Sequence, residues 1–122
     1  MPAISFSGET SQGPFYTQIL EGRKTQTCRA PRKKPIQKGD ILYLYWKQRI
    51  PAHLKTVHLI GTAYCTSVKR MRYREFAHDE KFAKRDGFRD AREMQDWFGD
   101  PRDYGYEEYD VISFKLVSRG RI

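Results

Sequence analysis

Gly22-Arg23-Lys24-Thr25-Gln26-Thr27-Cys28-Arg29, followed by a proline-punctuated linker and then by Lys38-Gly39-Asp40, is the stretch on which the reading of this chain turns. Between Gly22 and Gly39 stand Arg23, Lys24, Arg29, Arg32, Lys33, Lys34 and Lys38, with no acidic residue among them. A solvated charge run ordinarily mixes signs, because opposite charges reduce self-repulsion. A segment of one sign, with the hydroxyls of Thr25 and Thr27 interleaved, suits a phosphate-rich or strongly polar ligand. It is therefore the candidate site.

Working outward, Phe15, Ile19 and Leu20 fall on one helical stripe after Gly13-Pro14, with Pro14 expected in the first turn. Gly22 is expected to end that helix, since a residue without Cβ reaches the left-handed cap conformation. Upstream, Ala3 to Ser7 reads as a short strand. Downstream, Pro31 and Pro35 break the linker, and Asp40 to Trp46 (DILYLYW) is apolar on both alternating faces, predicting a covered central strand with Tyr43 and Tyr45 in the core. Val57 to Val68 reads as a strand with a bend or bulge at Gly61, and Tyr109 to Val117 as one with Ile112, Phe114 and Leu116 on its inner face. Two short helices are expected between these strands. One is capped by Asp79 and stopped by Gly87; the other is capped by Asp90, with Glu93 at capping-box spacing and a core stripe of Ala91, Met94, Trp97 and Phe98. Short strands without long intervening helices predict an α+β fold on a small β-barrel or strongly bent sheet.

The chain has 122 residues, which predicts one domain over 1–122. Charged residues make up 31% and mean hydropathy is −0.80, with no apolar run near the roughly 20 residues a spanning helix needs, so no membrane partner is expected. The first residues show neither the basic nor the long apolar region of a signal peptide. Cys28 and Cys65 are too few for a disulfide framework and are read as buried thiols in a reducing cytoplasm. Lys and Arg exceed Asp and Glu by 23 to 15, a net charge of +8, which draws polyanions and points to nucleic acid. His53, His58 and His78 share no metal spacing, and neither a metal nor an organic cofactor is expected. Glu107, Glu108 and Asp110 read as solvated surface, and Tyr104 and Tyr106, flanking Gly105, as loop aromatics near the site.

The run Phe15-x-x-x-Ile19-Leu20-x-Gly22-x-Lys24-Thr25-x-Thr27-x-Arg29, with Gly39-Asp40-x-Leu42 and a later Phe82-Ala83-x-x-Asp86-Gly87-Phe88, resembles the ASCH domains of the PUA-like superfamily. The resemblance implies a compact PUA-like β-barrel with peripheral short helices and a cleft for RNA or nucleotide-like ligands. Some small bacterial members hydrolyse the acetyl amide of acetylated cytidine, and others are ribonucleases. In the amidohydrolase members a lysine, the second threonine of the motif and a later glutamate are functional. By motif these fall on Lys24, Thr27 and Asp86. Aspartate in place of glutamate keeps the charge and shortens the reach by one methylene.

The resulting expectation is recognition of RNA or a modified nucleoside in a basic cleft, with Arg23, Thr25, Arg29, Arg32, Lys33 and Lys34 as nucleic-acid contacts. The alternatives are acetylcytidine hydrolysis by Lys24, Thr27 and Asp86, with lysine as base and threonine as nucleophile, or metal-independent RNA cleavage. A threonine hydroxyl needs a neighbouring base, and a lysine serves as one when burial and nearby cations disfavour its ammonium form. Plainer roles stand beside these: Lys24 as a phosphate contact, Thr27 as a turn cap, Asp86 as a helix-end residue and Arg29 as an ion-pair partner of Asp40 or Asp86.

Overall fold

In the computed structural model, which describes residues 2–46 and 58–120, alternation of apolar residues builds a curled, half-barrel sheet. Its order is β1-β5-β6-β7-β4. The members are β1 (Ala3–Phe6), β4 (Gln26–Arg29), β5 (Ile41–Trp46), β6 (Leu59–Arg72) and β7 (Glu108–Arg119). β1 runs parallel to β5, and every other neighbouring pair is antiparallel. A small hairpin of β2 (Glu9–Thr10) and β3 (Gly13–Pro14) leads into helix α1 (Phe15–Leu20). Between β6 and β7 stand α2 (Tyr73–Phe76), α3 (Glu80–Arg85), α4 (Ala91–Phe98) and α5 (Pro101–Tyr104). The fold is α+β, as the strand pattern predicts; four short helices replace the two expected.

The inward side of each strand supplies the core: Ile4 and Phe6, Leu42 and Leu44, Ile60, Ala63 and Cys65, and Ile112 and Phe114. Helices α1 to α4 close over it with Phe15, Ile19, Tyr73, Phe76, Phe82 and Met94, and the Phe76 and Phe82 rings stack at 4.3 Å. Burying a side chain of this size stabilises by roughly 1.5–3 kcal/mol.

Local chemistry sets the element ends. Asp79 accepts from the Phe82 amide at 3.0 Å and Asp90 from the Glu93 amide at 2.8 Å, the two caps read in the sequence. The Glu93 carboxylate reaches back one residue beyond the expected box, to the Arg89 amide at 2.8 Å. Pro14 is the residue before the first turn of α1, one position earlier than expected, because Gly13 and Pro14 are held in the hairpin. Gly61 pairs with Leu44 at the edge of a sheet irregularity, where the partner of Tyr45 jumps to Leu59, and β6 shifts register again between Thr62 and Ala63 and between Cys65 and Ser67. The Gly61 Cα approaches the Ser118 carbonyl so closely that a Cβ would collide. Val57, predicted to open this strand, lies outside the described residues.

Three burial expectations are corrected. Tyr43 and Tyr45 are half-buried on the outer side of β5, because Leu42 and Leu44 take the inner side. Asp110 is buried rather than solvated, held by Arg70 Nε at 2.6 Å, while Glu107 and Glu108 remain exposed. Trp97 leaves the core stripe of α4 and is 49% exposed, whereas Ala91 and Met94 are buried.

Candidate nucleoside cleft

Three chain segments meet at one cleft. The first is the turn after α1. Gly22 adopts φ +76°, and the chain folds back so that the amides of Arg23 and Lys24 both donate to the Gln18 carbonyl, at 2.9 and 3.2 Å. That turn sends the Lys24 side chain inward. Thr25 then ties the segment down, its amide donating to the Arg85 carbonyl and its carbonyl accepting from the Phe114 amide, each at 3.0 Å. The edge strand β4 carries Thr27, Cys28 and Arg29 along the cleft wall.

The second segment is the end of α3. Asp86 caps this helix, and Gly87 reverses the chain at φ +103°, a conformation side chains rarely adopt. Thr10 Oγ1 donates to the Gly87 carbonyl at 2.6 Å, and Gln18 Nε2 donates to Thr10 Oγ1 and the Gly13 carbonyl. The hairpin therefore braces the turn that presents Asp86.

Lys24 and Asp86, each 3% exposed, meet inside. Lys24 Nζ donates to the Asp86 carbonyl at 2.5 Å and stands 3.8 Å from Oδ1. The Cys28 thiol donates to the same Oδ1 at 3.7 Å, and Arg29 Nε donates to Thr27 Oγ1 at 3.1 Å. The Gln26 side-chain amide beside the Asp86 carboxyl holds its proton affinity down. Aromatic rings take up the positive charge: Lys24 Nζ lies 4.6 Å from the Phe15 ring centre, and the Arg29 guanidinium 4.8 Å from that of Phe6.

Burial pushes the Lys24 pKa below that of an ordinary lysine, against the pull of Asp86. Burial likewise raises Asp86, against the pull of Lys24. The Cys28 thiol is raised well above its usual value, first by burial and then by Asp86, so it stays protonated. Burial thus disfavours the charged form of both partners, while each partner's charge favours that of the other.

The third segment, Phe88 and the end of α4, forms the opposite wall. Trp97 meets the Phe15 ring at 5.4 Å and the Phe88 ring at 5.8 Å. The cleft encloses about 200 Å³. That is less than the roughly 300–1,000 Å³ of drug-sized sites, and suits one flat ring rather than a stacked run of bases.

Lys24, Thr27, Arg29 and Asp86 thus share one cleft, with Cys28 and Trp97, which sequence reasoning assigned to the buried core. The other residues of the basic stretch do not line it. Arg23 is exposed, paired with Glu21 at 2.8 Å, and Thr25 is spent on backbone contacts. Arg32 donates to the Ala3 carbonyl at 2.8 Å, and Lys33 and Lys34 are exposed on the linker. Tyr104 and Tyr106 are exposed away from the cleft, with the Arg74 guanidinium 4.9 Å over the Tyr106 ring. Among the described residues no cluster of three or more His, Cys, Asp and Glu could hold a metal, and no helix is long and apolar enough to cross a membrane. His53 lies outside the described residues.

No family model and no curated protein matches the sequence. Solved structures do match its shape. Protein EF3133 of Enterococcus faecalis V583, of family model DUF984, aligns with a TM-score of 0.64 at 17% identity over 98% of this chain and 77% of that one. A point variant of the ASCH protein of Zymomonas mobilis aligns at 0.56 and 19% identity, over 94% of this chain and 70% of that one. The fold is ASCH-like. Hypothetical protein PH0355 shares it at 0.54 and 13% identity, over 93% of this chain and all of that one. On this ASCH-like frame the cleft lies between the edge strand β4 and the α3–α4 side, where α1 delivers the lysine and α3 the carboxylate.

Proposed function

We propose that the cleft binds a modified nucleoside, free or as one base of an RNA. The observation that supports this most is convergence: Lys24 and Asp86, 62 positions apart, form a sealed pair at the base of a cleft walled by Phe6, Phe15, Phe88 and Trp97. A nucleobase is a flat ring with a hydrogen-bonding edge. Aromatic walls take its faces, and Lys24, Thr27 and Arg29 meet its edge. Calorimetric titration with acetylated cytidine and with cytidine tests the reading. Saturable binding of one nucleoside per chain, abolished by Lys24→Ala, is expected; no binding of either compound would overturn it.

A second reading, amide hydrolysis, is favoured by the opposed proton affinities of Lys24 and Asp86. Thr27 Oγ1 would attack the acetyl carbonyl carbon, its proton passing to Lys24. Because Arg29 rather than Lys24 holds that hydroxyl, the proton would travel through one bridging water. The carbon–nitrogen bond then breaks, the leaving amino group takes a proton from Asp86, and water releases acetate from the threonine ester. Release of cytidine from acetylated cytidine measures this directly. Turnover lost in both Lys24→Ala and Thr27→Ala is the expected result, and turnover equal in parent and Lys24→Ala would sink it.

A further inference from the structure

The outer side of the sheet carries a second surface, facing away from the core. Alternation along β5 and β6 turns Ile41, Tyr43, Thr62 and Tyr64 outward, while Leu42, Leu44, Ala63 and Cys65 turn in. The register places Ile41 opposite Tyr64 and Tyr64 opposite Lys115, one row across three strands. In the next row Tyr43 stands between Ala3 and Thr62. Tyr43 and Tyr64 are therefore diagonal neighbours, roughly 7–8 Å apart by strand geometry. Tyr64 is 41% exposed.

The basic linker borders this surface. Arg32 bonds the Ala3 carbonyl, beside Tyr43 in the sheet. At the linker's other end the Gly39 amide donates to the Cys65 carbonyl at 2.9 Å, which sets Lys38 next to Tyr64. No acidic side chain occupies the outward positions of these rows. The nearest, Asp40, accepts from the Gln37 amide at 2.9 Å and serves its own loop. Among the described residues Lys33, Lys34, Lys38 and Lys115 form no ion pair, whereas Arg70, Arg72, Arg89 and Arg102 all do.

Unpaired cations of one sign around the exposed Tyr64 ring and the half-buried Tyr43 ring match the chemistry of a single-stranded nucleic acid. Backbone phosphates need the cations, and unpaired bases stack on the rings whatever their sequence. A duplex would hide its base faces from these tyrosines, and an apolar protein partner would leave the lysines without counter-charges.

We propose that single-stranded RNA lies across this outer sheet face, with bases on Tyr64 and Tyr43 and phosphates on Lys33, Lys34, Lys38 and Lys115. The surface is distinct from the cleft and stands or falls without it. Its test is fluorescence anisotropy of a short labelled oligouridine over a range of salt. The double substitution Lys33→Ala/Lys34→Ala flattens the salt dependence by about 0.7 log units per lost contact for each tenfold change in salt. Tyr64→Ala weakens binding roughly 5- to 150-fold, the equivalent of one stacked base, and Tyr64→Phe restores it. Lys81→Ala, which removes an exposed cation of α3 outside these rows, leaves the oligouridine affinity and its salt slope as in the parent. Parent-like affinity in both the lysine double variant and Tyr64→Ala would overturn the proposal, as would an equal loss produced by Lys81→Ala. Equal affinity for a duplex of the same length would overturn the single-strand assignment.

Discussion

Lys24 Nζ bonds the backbone carbonyl of Asp86 at 2.5 Å and stands 3.8 Å from the carboxylate of the same residue, with both side chains closed off from water. The lysine therefore holds the turn that carries its own partner. Removing either group leaves the other buried without compensation, which costs about 3–5 kcal/mol in pairs of this kind. Lys24→Met and Asp86→Asn should each destabilise on that scale, and the double variant should lose clearly less than the sum of the two. Urea denaturation of the four proteins measures the coupling. Additive losses would mean the two side chains act independently.

The pair also shapes the pH dependence of stability. Asp86 keeps its proton to higher pH in the folded state than in the unfolded chain, so its contribution falls as pH rises from about 4 through the raised folded value. Lys24 loses its proton earlier in the folded state. Its contribution therefore recovers as pH rises from the lowered folded value towards about 10.5. Asp86→Asn should remove the acid-side fall and Lys24→Met the alkaline-side recovery, read from unfolding free energies across pH. Identical pH profiles in all three proteins would contradict the assignment.

Trp97 is expected to act as a stacking wall. Half buried on α4 against the Phe15 and Phe88 rings, it also supports the wall, so Trp97→Ala should cost roughly 1–3 kcal/mol of stability while the fold survives. Nucleoside affinity should fall roughly 5- to 150-fold, by analogy with loss of one base–aromatic stack. Quenching of indole fluorescence on adding nucleoside, compared between the parent and Trp97→Ala, follows the contact; Trp46 gives the constant background.

Lengthening the acid restores the reach expected of a glutamate. Asp86→Glu carries the carboxylate one methylene further into the cleft that Asp86 lines. Acetylcytidine turnover should hold or rise in Asp86→Glu and fall in Asp86→Asn, measured as cytidine released. The reverse order would remove Asp86 from proton transfer.

Much of this was legible in the chain. The Gly22 turn, the caps at Asp79 and Asp90 and the strand alternation around Phe114 follow from local rules, and each stands where those rules put it. The meeting of Lys24 with Asp86 was readable only through the family resemblance, because no local rule brings positions 62 apart together. Other features depend on tertiary packing that periodicity does not carry. Trp97 shares a helical stripe with Met94 yet turns out to the rim, because Phe15 and Phe88 already fill the space beneath it. Asp110 sits in an acidic run, but the half-exposed Arg70 opposite it on the adjacent strand pairs with it and covers it. Lys33 and Lys34 read as one cluster with Lys24, and the fold sends them to another face because the chain turns inward at Gly22 and out again after Arg29.

Gly87 tests how tightly the cleft depends on its turn. Any Cβ there would stand 2.8 Å from Gln18 Oε1 and 3.1 Å from Phe15 while forcing φ +103° on a side-chain residue. Gly87→Ala should cost at least the roughly 1–2 kcal/mol of left-handed strain and weaken nucleoside binding by displacing Asp86. Calorimetric melting together with nucleoside titration checks both. A variant as stable as the parent would show that the turn is looser than its hydrogen bonds with Thr10 imply.

The central claim is that a nucleoside occupies the Lys24–Asp86 cleft, and its most direct test is a titration of isotopically labelled protein with acetylated cytidine, followed residue by residue by NMR. Shifts confined to Lys24, Thr27, Cys28, Arg29, Asp86, Phe88 and Trp97, with Tyr64 and Lys33 unmoved, are the predicted result. Saturable shifts centred on any other surface, with the cleft resonances unchanged, would contradict it.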